Sequence, residues 1–208
     1  PFKTYTSPSP FKERGIQGER LSLNKRNVAV ITEHKEDINS NFKGTIIDIE
    51  TVGEFDNRYN DSRRYKDIQL VIFGFINRYA LHIFCAEGME AINELRERTE
   101  KIIDSLESPF YAFNSEFERS ILFYELGKEI DFDGELQETH EPKAKAVREL
   151  RIPNYGDPFY DKGYLCMIAW ENGEFNSAIA HNRVCLLKER DILIKRGFRK
   201  PDELKFIK

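Results

Sequence analysis

TIIDIETVGEF, residues 45–55, places two carboxylates inside a run of isoleucines. Continuous apolar residues of this kind mark a strand covered on both faces, the position of a central strand in a mixed or parallel sheet. Side chains two apart share a face, so Asp48 and Glu50 project together while Ile47 and Ile49 project to the other side. Two neighbouring carboxylates raise each other's pKa, and an unpaired buried charge costs several kcal/mol. A divalent cation offsets both costs. The plainer alternative, an edge-strand pair facing solvent or lysines, fits poorly with Ile46, Ile47 and Ile49.

Outward from this strand, expected over 44–51, the pattern continues with strands at 68–76 (IQLVIFGFI) and 79–84 (YALHIF). A tight turn at Asn77 and Arg78 joins these two, giving an antiparallel three-strand meander. Apolar residues at Met89, Ile92, Leu95, Ile102, Ile103 and Leu106 predict a helix over 87–107, followed by a strand at 109–113 and a helix at 115–126. A short strand within 131–138, a helix at 143–150 and a Pro- and Gly-containing loop at 152–163 come next. Helices over 163–172 and 176–197 close the pattern, the second ending at Gly197. The expected class is α/β: a mixed sheet with a meander followed by parallel strands, flanked by helices.

The 208 residues suit one domain over 43–198, preceded by a basic N-terminal extension over 1–42 and followed by a tail over 199–208. With 40% hydrophobic and 33% charged residues, the chain is a folded one with an ordinary solvated surface. A net charge of −4 argues against a surface that grips nucleic acid everywhere, and leaves room for a local basic track. Lys3, Lys12, Arg14, Arg20, Lys25 and Arg26 supply one such track, read either as a phosphate contact or as a packing extension with solvated lysines. Cys85, Cys166 and Cys185 are far apart with no C-x-x-C, which favours reduced thiols. No apolar run reaches the roughly 18 residues needed to span a bilayer, so the expectation is a soluble, cytoplasmic protein without a membrane partner.

Two further segments carry candidate chemistry. In FYAFNSEFERSIL, 110–122, a strand runs into a helix through Asn114, and Glu118 lies one turn into that helix. Glu118 faces Asp48 if the two strands pair; alternatively Ser115-x-x-Glu118 is a capping box that needs no metal. On the last helix His181, Asn182, Cys185 and Glu189 form one stripe. Tyr164, Trp170 and Phe175 are candidates to stack on a base, with core packing as the default for aromatics at this spacing.

The order of these parts resembles the ribonuclease H-like DEDD exonucleases, in particular the predicted 3′-5′ exonuclease branch whose last motif reads Y-N-x-x-D. D-I-E-T at 48–51, N-x-x-F-E at 114–118, the K-A-V helix and His181-Asn182 carry the resemblance over roughly 43–197. It implies a ribonuclease H-like fold and hydrolysis of phosphodiester bonds at the 3′ end of single-stranded or frayed DNA or RNA, using two Mg2+ or Mn2+ ions. Residue by residue, it implies that Asp48, Glu50 and Glu118 hold metal and that His181 positions or deprotonates the attacking water.

This sequence departs from the motif at Cys185, which stands where the family has its last metal-binding Asp; a thiolate is a poor ligand for magnesium. Glu189, one turn on, is about 40° round the helix and ~6 Å along it, and is the expected substitute, whereas Asp191 is rotated about 240° away. Asp157 and Asp161 in the preceding loop are further candidates. Two alternatives stay open: a catalytically weakened module that binds nucleic acid or protein, and a zinc site built on His181 and Cys185 with Cys166 or His140.

Overall fold

β2 (Thr45–Val52) has hydrogen-bonded neighbours on both sides, antiparallel β3 (Gln69–Ile76) and parallel β5 (Phe110–Ala112). Its isoleucines Ile46, Ile47 and Ile49 are buried, as the unbroken apolar run requires. In this computed structural model, which describes residues 29–207, β2 lies within a six-stranded mixed sheet that also holds β1 (Ile31–Asp37), β4 (Ala80–Ala86) and β6 (Gly134–Glu135), in the order β1-β4-β3-β2-β5-β6. β4 continues the meander antiparallel to β3, and β6 pairs in parallel with β5. At the β3–β4 turn Asn77 Oδ1 accepts from the amides of Tyr79 and Ala80 at 2.9 and 3.0 Å, closing the link expected there.

Among the described residues five helices flank the sheet: α1 (Ile92–Ile103), α2 (Ser115–Leu126), α3 (Lys143–Glu149), α4 (Gly163–Glu171) and α5 (Phe175–Arg196). The sequence predicts a longer α1, but Met89–Ala91 instead forms a tighter 3-10 turn entered through Gly88 at φ 106°. α1 and α2 pack on β3, while α5 crosses β2, β3 and β4 and runs beside α4. Trp170 on α4 is core rather than a stacking platform: it is buried and its indole donates to Ala86 O at 2.6 Å. Phe175 packs edge-on against it at 6.0 Å.

The strand that sequence reasoning missed is β1 (Ile31–Asp37), which pairs antiparallel with β4 inside the segment assigned to the extension. Its residues, ITEHKED, carry little strand propensity, so pairing with β4 rather than local preference forms it. The basic arm read over residues 1–27 lies outside the described residues. The tail is anchored: Arg199 and Glu135 exchange main-chain hydrogen bonds at 2.8 and 2.9 Å, and Phe206 stacks on Phe123 at 4.4 Å. Among the described residues no helix is long and apolar enough to cross a membrane.

Gly74 stands opposite Asp48 in the β2–β3 register and lets α5 approach the sheet. A Cβ there would lie 2.1 Å from Asn182 Oδ1 and 3.0 Å from Leu186 Cδ1. Gly74→Ala therefore has to push α5 outward. A loss on the order of 2 kcal/mol is expected, read as a lower denaturation midpoint with an unchanged slope.

Candidate functional site

Asp48 is 5% exposed, yet each of its oxygens has a partner. Oδ2 accepts from Asn182 Nδ2 at 2.7 Å, and the same amide reaches Asp48 main-chain O at 3.2 Å. Oδ1 accepts from Lys143 Nζ at 3.0 Å. Lys143 opens α3, and its ammonium also lies 2.5 Å from Glu189 Oε1. Burial alone would lower the Lys143 pKa, but Asp48, Cys185 and Glu189 around it raise it well above the usual lysine range. An internal cation thus bridges the first-strand aspartate to the last helix.

Glu189 is fully enclosed behind that ammonium and does not line the open cleft. The Lys143 contact is an ion pair off the hydrogen-bond direction, leaving both Glu189 oxygens without a donor. Burial, opposed by Lys143 and reinforced by Asp48, pushes the Glu189 pKa well up.

A cleft of about 210 Å³ is lined by Asp48, Glu50, Glu118, Lys143, His181 and Cys185 among others. Glu50 reaches it at the point where the β2–β3 register shifts, between Glu50 and Thr51, an irregularity that re-aims a side chain. Burial, opposed by His181 and reinforced by Asp48, pushes the Glu50 pKa to about 7. Glu118 comes from α2, and the capping-box alternative does not form. Asn114 is the residue preceding the helix, no side chain caps it, and the Ser115 hydroxyl donates to Glu135 Oε2 at 2.7 Å. Glu118 is left 4% exposed with Oε2 lacking a donor, and burial followed by the Asp48 charge raises its pKa well above the ordinary range.

His181 is held from behind. Its Nδ1 is 2.7 Å from Asp157 Oδ1, while Nε2 lies 3.6 Å from Cys185 Sγ and 4.0 Å from Glu50 Oε1. Burial works to lower the His181 pKa, but the bond to Asp157 together with the Glu50 and Asp157 charges outweighs it and the pKa rises. Of the two loop candidates, Asp161 lines the same cleft as Asp48 and Glu50, whereas Asp157 does not and lies behind His181. Both pair with Lys188, which is fully buried, at 2.9 and 2.7 Å, and Asn154 accepts from the same ammonium at 3.2 Å. Asp191 turns away, accepting from the Tyr155 hydroxyl at 2.5 Å. His140 belongs to a separate cavity beside Ser115, Glu135 and Arg199, remote from the candidate zinc pair. Cys166 is buried, and its thiol donates to Ala178 O at 3.7 Å.

The residues present fit a divalent cation. Asp48, Glu50 and Glu118 line one cleft and the buried Glu118 oxygen without a donor is the kind of group a cation satisfies, but among the described residues the ligand atoms lying within 4.8 Å of one another are those of Glu50, His181 and Cys185. A second hard cation is less well provided for, because Lys143 already neutralises Asp48 and Glu189 and Cys185 supplies sulfur where oxygen is needed. Lys143 and Lys188 are the functional residues sequence reasoning missed. Compared with protein-family models, curated proteins and solved structures, the chain matches none.

Two consequences are measurable without any ligand. The Glu50 pKa lies above its ordinary value of 4.5, so the folded state holds a proton that the unfolded state has released, and stability falls as pH rises from about 4.5 through 7. Glu50→Gln in chelator is expected to be more stable than the parent at pH 8, on the order of 2 kcal/mol, with the difference vanishing near pH 4. Lys188→Met strands Asp157 and Asp161 without their buried counter-charge, a loss of about 3 kcal/mol. Hydrogen exchange should show the amides of 154–161 losing protection first.

Proposed function

We propose that this chain is a ribonuclease H-like, metal-dependent 3′-5′ exonuclease acting on single-stranded or frayed nucleic acid. The observation that carries the reading is the convergence in one cleft of Asp48 and Glu50 from β2, Glu118 from α2 and His181 from α5. The sheet supports it as well, with the antiparallel meander β2–β3–β4 on one side of β2 and parallel β5 and β6 on the other.

Asp48, Glu50 and Glu118 would hold the cation, which when bound supplies Lewis acidity toward a phosphate oxygen and toward water. His181, its Nδ1 fixed by Asp157, turns Nε2 toward Glu50 and Cys185 in the cleft and in its neutral form accepts a proton there. Because Asp157 and Glu50 together raise the His181 pKa against burial, that neutral form fills only at pH above the ordinary histidine value of 6.5.

A groove of about 560 Å³ adjoins the cleft, sharing Glu50, Phe117 and Gly163 with it and adding Phe55, Tyr164 and Met167. Phe55 and Tyr164 are 47% and 59% exposed, and Arg64 lies over the Phe55 ring at 5.2 Å. Aromatic faces beside arginine suit stacked bases and their phosphates.

A second reading rests on Lys143, whose ammonium sits between Asp48 and Glu189 and already satisfies part of the acidic charge. It favours a module that binds a strand end without hydrolysing it. Incubation of 5′-labelled single strands of DNA and of RNA with Mg2+ or Mn2+ separates the two. The nuclease reading expects a ladder of 3′-shortened products that needs metal and disappears in Asp48→Asn. A ladder surviving in Asp48→Asn overturns it, and strand retention in a gel shift without any ladder supports the binding module instead.

A further inference from the structure

We propose that Glu50, His181 and Cys185 form a binding site for one borderline-soft divalent cation of the zinc type, chemically distinct from a magnesium site. The three side chains come from β2 and α5, and one ligand atom from each lies within 4.8 Å of the other two. Tetrahedral zinc, with bonds of about 2.3 Å to sulfur and 2.0–2.1 Å to nitrogen, sets those two ligand atoms about 3.5 Å apart. The Cys185 Sγ to His181 Nε2 distance is 3.6 Å. Glu50 Oε1 is 4.0 Å from the same nitrogen, and closing to the tetrahedral edge takes about half an ångström of movement in a long side chain.

The surroundings of these residues resemble a metal site's outer layer more than a packed core. A ligating histidine commonly donates its second ring N–H to a carboxylate, which fixes the ring and strengthens the other nitrogen as a ligand. Asp157 is 3% exposed; its Oδ1 stands 2.7 Å from His181 Nδ1 and accepts from the Phe159 amide at 2.9 Å, while its Oδ2 accepts from Lys188 Nζ at 2.9 Å and from the Asp161 amide at 2.8 Å. Burial, opposed by Lys143 and reinforced by Asp48, Glu50 and Glu189, raises the Cys185 pKa well above the ordinary range, so the thiol keeps its proton until an ion takes that place. Independently of the three ligands, Glu118 brings a buried, unpartnered oxygen to the same cleft. Coordination displaces the Cys185 thiol proton to solvent, so one proton leaves for each ion bound through sulfur.

Carboxylate, imidazole and thiolate together select Zn2+, Co2+ or Fe2+ over Mg2+, since sulfur is a poor partner for a hard ion. This site shares Glu50 and His181 with the nuclease reading, and an ion on His181 Nε2 takes the lone pair that reading gives to proton transfer; the two are separable because the ion binds whether or not a strand is cut. Its test is therefore spectroscopic. The reduced, metal-stripped full chain is titrated with Co2+. One equivalent should produce a near-ultraviolet thiolate-to-cobalt charge-transfer band together with the intense visible bands of a tetrahedral ion. Zn2+ should bleach both, and a large excess of Mg2+ should not.

Cys185→Ser should abolish the charge-transfer band, Cys166→Ser should keep it, and Asp157→Asn should keep the band while weakening Co2+ binding by about 10- to 100-fold. Circular dichroism establishes that each variant is folded, and the Zn2+ and Mg2+ competition on the unmodified chain remains decisive if one is not. Absence of the charge-transfer band, its survival in Cys185→Ser, or bleaching by Mg2+ as readily as by Zn2+ each overturns the proposal.

Discussion

The buried Asp48 carboxylate is the constraint around which the rest of this structure is arranged. A charge in the middle of a central strand is tolerated only if its oxygens are matched by donors, and here Asn182 and Lys143 match them. The Asn182 bond requires α5 to lie close on the sheet, which in turn requires a residue without Cβ at Gly74. The Lys143 bond requires α3 to begin beside β2, and the same ammonium holds Glu189. One carboxylate thus fixes the approach of two helices and the absence of one side chain.

A second polar network stands behind the first. Lys188 spends its three protons on Asn154, Asp157 and Asp161, tying α5 to the loop before α4. That loop holds Tyr155, Tyr160 and Asp161 at φ between 52° and 63°, a conformation that costs free energy for residues other than glycine. The network offsets this cost and leaves Asp157 rigidly placed behind His181. A fully satisfied buried network specifies one arrangement, so the imidazole is oriented before anything binds.

The sequence made the sheet and its helices legible because the apolar periodicities were strong. The meander follows from IQLVIFGFI and YALHIF flanking an Asn turn, and α2 begins at Ser115 and ends at Leu126 as the pattern required. β1 was illegible for the opposite reason, since alternating charges carry no strand signal until β4 supplies a partner. At the site, Asp48 and Glu50 announced themselves as carboxylates in an apolar run. Lys143 and Lys188 did not, because a lysine on an amphipathic helix reads as solvated, and only tertiary packing turns these two inward. Asp157 was noticed for its charge, but its role behind His181 depends on a loop path with no periodicity to read. The choice between cap and cleft for Glu118 was settled by Ser115 bonding to Glu135, a contact between distant segments.

β1 also determines how the molecule behaves toward other copies of itself. It occupies the edge that hydrophobic β4 would otherwise present, and its own outer side is short and carries exposed Glu33, Lys35 and Asp37. Inward it is clasped to α5 through Glu36 and Arg183. Charged, brief edge strands discourage the addition of a further strand from another chain. Without residues 31–37 the sheet would end on ALHIFCA, an aggregation-prone border, so this unobtrusive polar strand acts as the fold's guard against intermolecular β-pairing.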